Sequence, residues 1–149
     1  MVNENKKIKV NILLVEDNAA DIRLTKEVLQ KGGIVSNIDI VRDGVEAMDF
    51  LRKRGKYSNA NIPNLILLDL NLPKRNGFEV LEEIKQDEGL KRIPVVILTV
   101  SDANEDLIKA YNLHANCYVI KPLEMKEFHR IINSIVIFWF RIAKLFDRD

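Results

Sequence analysis

Five side chains of this sequence are of the types that handle charged substrates, and each stands at or just past the end of a short apolar run. They are Glu16 and Asp17 after 10–15, Asp69 within 65–70, Thr99 closing 94–99, and Lys121 directly after 117–120. Three carboxylates brought to one place repel and raise one another's pKa values, so such a cluster calls for a cation. Oxygen ligands with no histidine or thiolate beside them select Mg²⁺ or Mn²⁺, and Mg²⁺ takes one or two carboxylates, several waters and phosphate oxygens. A phosphoryl group is therefore the expected guest. Asp69, flanked by Leu68 and Leu70, can then act as a nucleophile toward phosphorus and give an aspartyl phosphate. Lys121 supplies a compact positive charge to one phosphoryl oxygen, and the Thr99 hydroxyl donates a hydrogen bond to another. Phosphoryl transfer depends mainly on positioning and charge neutralisation, so a handful of side chains suffices.

Residues so far apart in sequence meet only if the fold gathers them. The apolar runs 10–15, 38–41, 65–70, 94–99 and 117–120 are rich in β-branched and aliphatic residues and read as strands. Those around Leu13, Leu65 and Val95 lack alternation, the pattern of strands covered on both faces. Between them lie helical patterns. Positions 77–86 place Phe78, Leu81 and Ile84, with Val80, on one face and Glu82, Glu83 and Lys85 on the other. Positions 20–31 carry Ile22, Leu24, Val28 and Leu29 and stop at Gly32-Gly33. Helices are also expected over 45–54 (Ala47, Phe50, Leu51), over 102–113 (Leu107, Ile108, Ala110, Tyr111) and over 124–145, with Met125, Phe128, Ile131, Ile132 and Ile135 on one stripe.

Strands alternating with single helices build a doubly wound α/β fold: a five-stranded parallel sheet with helices on both faces. Ligands in such folds bind outside the carboxyl ends of the strands, where the strand order reverses. That rim is where the five residues above fall.

The chain has 149 residues, with 47% hydrophobic and 30% charged, which fits one globular domain and excludes a disordered or disulfide-built chain. The organisation expected is a core over about 9–134 with a helical extension over about 135–146. Lys plus Arg number 23 and Asp plus Glu 22, a net charge of +1, so no basic field points to nucleic acid or a membrane surface. The lone cysteine, Cys117, permits no internal disulfide and reads as a small core residue. The charged amino terminus lacks the apolar segment of a signal peptide, and the longest apolar stretch, 135–140, is far short of the ~20 residues of a membrane span. A cytoplasmic location is expected.

Each residue also has an ordinary reading. Glu16 and Asp17 fit a helix start, Thr99 fits any strand, Lys121 fits a solvated edge, and Tyr118 fits plain packing. Asp69 has the weakest ordinary reading, because an unpaired carboxylate inside an apolar run is costly. His114 and His129 lack a metal-binding spacing and read as surface residues.

Taken together, the acidic pair Glu16-Asp17, the segment Leu-Leu-Asp69-Leu-Asn-Leu-Pro73 with Gly77 after it, Thr99, and Lys121-Pro122 resemble the receiver domain of two-component response regulators over about residues 9–134. The resemblance implies a flavodoxin-like fold with strand order 2-1-3-4-5, its five helices ending in an extended one. It implies phosphorylation of Asp69 by a sensor histidine kinase or a small phosphodonor. Mg²⁺ would be held by Asp17, Asp69 and the backbone carbonyl of Asn71, with Glu16 acting through water. Thr99 and the aromatic Tyr118 would form the switch, and the Lys121–Pro122 bond would be cis. Asn-Leu-Ile-Leu-Leu-Asp-Leu-Asn-Leu-Pro-Lys, Lys-Arg-Ile-Pro-Val-Val and the late Phe-Trp resemble most the stand-alone regulators that partner cyanobacterial phytochrome kinases.

Two other functions fit the same residues less well. An aspartyl-phosphate phosphatase or phosphotransferase needs a second acid two residues after its nucleophile, where this chain has Asn71. A degenerate receiver acting as a scaffold would not need all five pocket residues. The run Ile135-Val-Ile-Phe-Trp-Phe140 is apolar nearly all round and predicts a partner surface. The expected partner is a second copy, docked through the last helix with helix four and strand five. The competing expectation is that the run packs back on its own core.

Overall fold

The computed structural model describes residues 10–35 and 37–143. Within them the strands are β1 (Asn11–Val15), β2 (Asn37–Val41), β3 (Leu65–Leu68), β4 (Val95–Thr99) and β5 (Cys117–Ile120). All neighbours pair in parallel, in the order β2-β1-β3-β4-β5. Between and after them run helices α1 (Ala19–Lys31), α2 (Gly44–Leu51), α3 (Gly77–Gln86), α4 (Asn104–Asn112) and α5 (Met125–Ile137). This is the doubly wound architecture expected, with the order reversing between β1 and β3.

Successive strand residues face opposite sides, so the apolar runs feed two cores. Leu13, Val15, Ile66, Leu68, Val95 and Ile97 pack with Ala47, Phe50, Val80, Leu81 and Ile84 of α2 and α3 and with Ala110 of α4. Ile12, Leu14, Leu65, Leu67, Val96 and Leu98 pack with Ile22, Val28 and Leu29 of α1 and with Phe128, Ile132 and Ile135 of α5. The central strands β1, β3 and β4 are thus buried on both faces, which is why they lack alternation. The edge strands β2 and β5 are only partly covered.

Local chemistry sets the helix starts at the rim. Asn18 caps α1 by accepting from the Asp21 N–H at 3.0 Å, and Asp43 caps α2 by accepting from the Glu46 N–H at 2.7 Å. Asn76 and Glu79 form a reciprocal capping box at α3. Gly77 also passes close to the β3 end. A Cβ there would stand 2.3 Å from the Asp69 carbonyl oxygen and 2.6 Å from the Leu70 Cα, so only glycine lets α3 begin where it does.

Several expected boundaries move. The helix expected over 45–54 ends at Leu51 because Lys53 turns left-handed, with φ of 56°. The helix expected from 102 starts at Asn104, since the Ser101 hydroxyl donates to Asp106 at 2.6 Å and accepts from the Ala103 N–H. In α4 only Ala110 is buried, and Ile108 and Tyr111 face outward. The last helix does not run regularly to 145. It is α-helical to Ile137 and continues as a single wider π turn over Phe138–Ile142, after which Ala143 is extended. Positions 144–146 of the expected extension lie outside the described residues. Ile135 and Val136 are buried, Trp139 and Phe140 lean on the α1–α5 core, and Ile137, Phe138 and Ile142 are exposed. The apolar run therefore divides between core and surface. Met125 leaves its expected stripe and is exposed, while Phe128, Ile132 and Ile135 of the same stripe are buried.

Candidate active site at the carboxyl rim of the sheet

The β1 chain leaves the sheet at Val15 and its next residue turns inward. Glu16 is held there by three bonds. One carboxylate oxygen accepts from the backbone N–H groups of Asp17 (3.0 Å) and Asn18 (3.1 Å), and the other accepts from the Lys121 ammonium. Asp17 follows as an exposed carboxylate that pairs with no cation among the described residues. One strand over, the Asp69 N–H donates to the Val15 carbonyl at 3.0 Å, which extends the β1–β3 ladder by one bond and fixes Asp69 beside the acidic pair. Lys121 enters from the end of β5, where its N–H donates to the Thr99 carbonyl at 2.6 Å.

The ammonium of Lys121 is the centre of the rim. It donates to Glu16, to Asp69 Oδ2 at 3.0 Å and to Asp21 Oδ2 at 2.9 Å. Lys121, Glu16 and Asp69 are all buried, so these are charge-assisted bonds in a place of low dielectric. Burial alone lowers the Lys121 pKa, but hydrogen bonds and charges from Glu16, Asp21 and Asp69 outweigh it and raise the pKa above the ordinary lysine value. The lysine stays charged. Glu16 moves the other way from an ordinary ion-paired acid. Burial pushes its pKa from 4.5 to about 7, Asp69 adds to the rise, and Lys121 and the Asn18 N–H offset it only in part.

Sequence reasoning missed Asp21, which the structure brings into the same cluster. Its signal was positional. It is the third residue of α1, and a helix entered from the carboxyl end of β1 projects its first turn over the rim. The spacing Asn18 to Asp21 reads equally well as an ordinary helix start, and that reading hid it.

Thr99 is fully buried at the end of β4. Its hydroxyl oxygen accepts a long bond from the Ser101 N–H at 3.5 Å. The Tyr118 hydroxyl donates to the Ser101 carbonyl at 3.0 Å, and the Tyr118 N–H donates to the Tyr111 hydroxyl of α4 at 3.1 Å. Burial first, with nearby acids assisting, raises the Tyr118 pKa above the ordinary tyrosine value, so the hydroxyl remains a donor. Thr99, Ser101, Tyr118 and α4 are thus joined by consecutive bonds. Asn71 places its N–H 3.2 Å from Asp69 Oδ1. No cis peptide occurs among the described residues, so Lys121–Pro122 is trans and the expectation of a cis bond is corrected. The two forms of an X–Pro bond differ by only ~0.5–1 kcal/mol.

Among the described residues no three Asp, Glu, His or Cys side chains converge as a ready-made metal cage. Mg²⁺ does not require one, because it takes one or two carboxylates and retains several waters. The donor chemistry at the rim fits it. Three carboxylates share one lysine, and beside them Asp17 offers hard oxygens that no cation among the described residues neutralises.

The response-regulator receiver-domain family model matches residues 12–133 of the chain. The chain is a response-regulator receiver. Among curated proteins this receiver is 50% identical to the response regulator Rcp1 of Synechocystis over 97% of its length and 98% of the relative's. It is 43% identical to the probable methanogenesis regulatory protein FilR2 of Methanothrix harundinacea, over 86% of its length and 82% of the relative's. Among solved structures it resembles the phosphorylated cyanobacterial phytochrome response regulator RcpA, with a TM-score of 0.90, 49% identity, and 93% and 99% of the two chains covered. It also resembles the Mn²⁺-bound form of Rcp1, with a TM-score of 0.89, 50% identity and the same coverage. As a receiver the chain is a signalling domain of a two-component system, and its class of partner is a histidine kinase.

Proposed function

We propose that this receiver takes a phosphoryl group on Asp69 from the phosphohistidine of a sensor kinase, or from a small phosphodonor. The observation that carries the reading is the Lys121 ammonium bonded to Asp69 Oδ2 at 3.0 Å in a buried setting. An Asp69 oxygen attacks phosphorus, the P–N bond to the donor imidazole breaks, and the phosphoryl group transfers to the carboxylate. Lys121 neutralises charge on the phosphoryl oxygens, and the Thr99 hydroxyl donates to another of them. Asp17, Asp69 and the Asn71 carbonyl would hold Mg²⁺ or Mn²⁺, with Glu16 assisting through water, and the metal supplies the charge neutralisation that four carboxylates and an incoming phosphoryl group require.

The signal leaves through the bonded chain beyond Thr99. A Thr99 hydroxyl drawn toward the phosphoryl group pulls on Ser101, whose carbonyl holds Tyr118 and whose hydroxyl holds Asp106 of α4. Both packings pre-exist, and only the phosphorylated one makes the new contacts, so the modification shifts the population. The output surface is the face of α4, β5 and α5, where Ile108, Tyr111, Ile120, Met125 and Phe138 are exposed. That apolar face, with the exposed part of the last helix, supports a homodimer. The likeness to RcpA and Rcp1 supports a phytochrome-type kinase as the donor. The receiver works in the cytoplasm as one domain with a C-terminal extension. It is not a turnover enzyme, because Asn71 stands where a phosphatase needs a general acid. No helix among the described residues is long and apolar enough to cross a membrane.

The test is intact-mass spectrometry after incubation with acetyl phosphate and Mg²⁺. One phosphoryl group on the wild type, none on Asp69→Asn and no turnover of an aryl phosphate are expected. An unmodified wild type refutes the reading.

A further inference from the structure

A lysine ammonium has three N–H donors, and in Lys121 all three are in use, on Glu16, on Asp21 at 2.9 Å and on Asp69 at 3.0 Å. A phosphoryl group on Asp69 needs this same ammonium, so one bond must be given up. The three partners differ in what release costs. The Glu16 and Asp69 side chains are 4% and 9% exposed, whereas Asp21 is 27% exposed. A carboxylate already at the water boundary regains hydration when its partner leaves, and a buried one does not. Asp69 is itself the group being modified. Asp21 is therefore the partner that lets go.

We propose that Asp21 is a positioning residue that holds Lys121 in the resting receiver and must surrender the ammonium before the phosphoryl group is secured. The inference rests on the proposed role of Asp69 as the phosphoacceptor. Asp21 competes with the incoming group for the same donor, so it slows phosphorylation while keeping the lysine aimed into the pocket. The start of α1 does not depend on this carboxylate, because Asn18 caps the helix through the main-chain N–H of residue 21, and asparagine keeps that N–H.

The experiment compares initial rates of phosphorylation by acetyl phosphate at saturating Mg²⁺ in the wild type, Asp21→Asn and Asp21→Glu, with Asp69→Asn as the blank. An ion pair open to water on one side is worth a factor of about five at most. Asp21→Asn should react up to about fivefold faster, and Asp21→Glu, which keeps the competitor, should return toward the wild-type rate. The gain should persist in ~1 M potassium chloride, where charges further apart than ~3 Å are screened. A merely structural role for Asp21 would lower the melting temperature of both variants and would not make either faster. If the wild type acquires no phosphoryl group, the assignment of Asp69 fails and this inference falls with it. If the wild type reacts and Asp21→Asn is no faster, or is faster only at low salt, the competition is overturned while Asp69 stands.

Discussion

Replacing Glu16 by glutamine removes one negative charge from the most enclosed part of the rim and keeps the shape of the side chain. Burial holds the Glu16 carboxyl at a pKa of about 7 against 4.5, with Lys121 only partly opposing. At ~1.4 kcal/mol per pKa unit, keeping it ionised costs the fold about 3 kcal/mol. An acid whose pKa is raised on folding binds its proton more tightly in the native state. The stability that protonation contributes is complete below pH 4.5 and is lost as the pH rises through 7. Glutamine imitates the protonated form at every pH. Metal-free Glu16→Gln should therefore exceed the wild type by as much as about 3 kcal/mol at pH 8, and the two should coincide near pH 4.5. Urea denaturation followed by circular dichroism at each pH measures this directly. A variant that is weaker than the wild type at pH 8, or a difference that does not change with pH, would refute the electrostatic account of the pocket.

Removing the cation has the opposite sign: Lys121→Met leaves Glu16, Asp21 and Asp69 facing one another and should lose about 3 kcal/mol at pH 8, with part recovered at pH 5 where carboxylates protonate, as read from the same urea curves. Gly77→Ala should cost about 1–3 kcal/mol, because the new Cβ collides with the main chain of Asp69 and Leu70, and it should slow phosphorylation by displacing the acceptor. Phe138→Asp places a charge on the exposed apolar face, so sedimentation should show a dimer for the wild type and a monomer for the variant.

The central strands were legible because burial on both faces leaves a sequence mark, unbroken aliphatic residues at Ile12–Val15, Leu65–Leu68 and Val95–Leu98. Parallel crossovers then carried Asp69, Thr99 and Lys121 to one rim without any further information. Asp21 was not legible, because an acid in the first turn of a helix is favoured by the helix itself and gives no separate sign of a tertiary partner. The end of α5 was misjudged for a related reason. A run apolar on all sides carries no period, so nothing in Ile135 to Phe140 marks where core gives way to surface or where the helix widens at Phe138.

The most direct test is to trap the modified chain. After reaction with acetyl phosphate and Mg²⁺, borohydride reduces an acyl phosphate to the alcohol, and tandem mass spectrometry of the peptides locates it. Homoserine at position 69, absent when Mg²⁺ is chelated and greatly reduced in Lys121→Met, is the predicted result. Homoserine at another acid, or none in a fully folded protein, would contradict it.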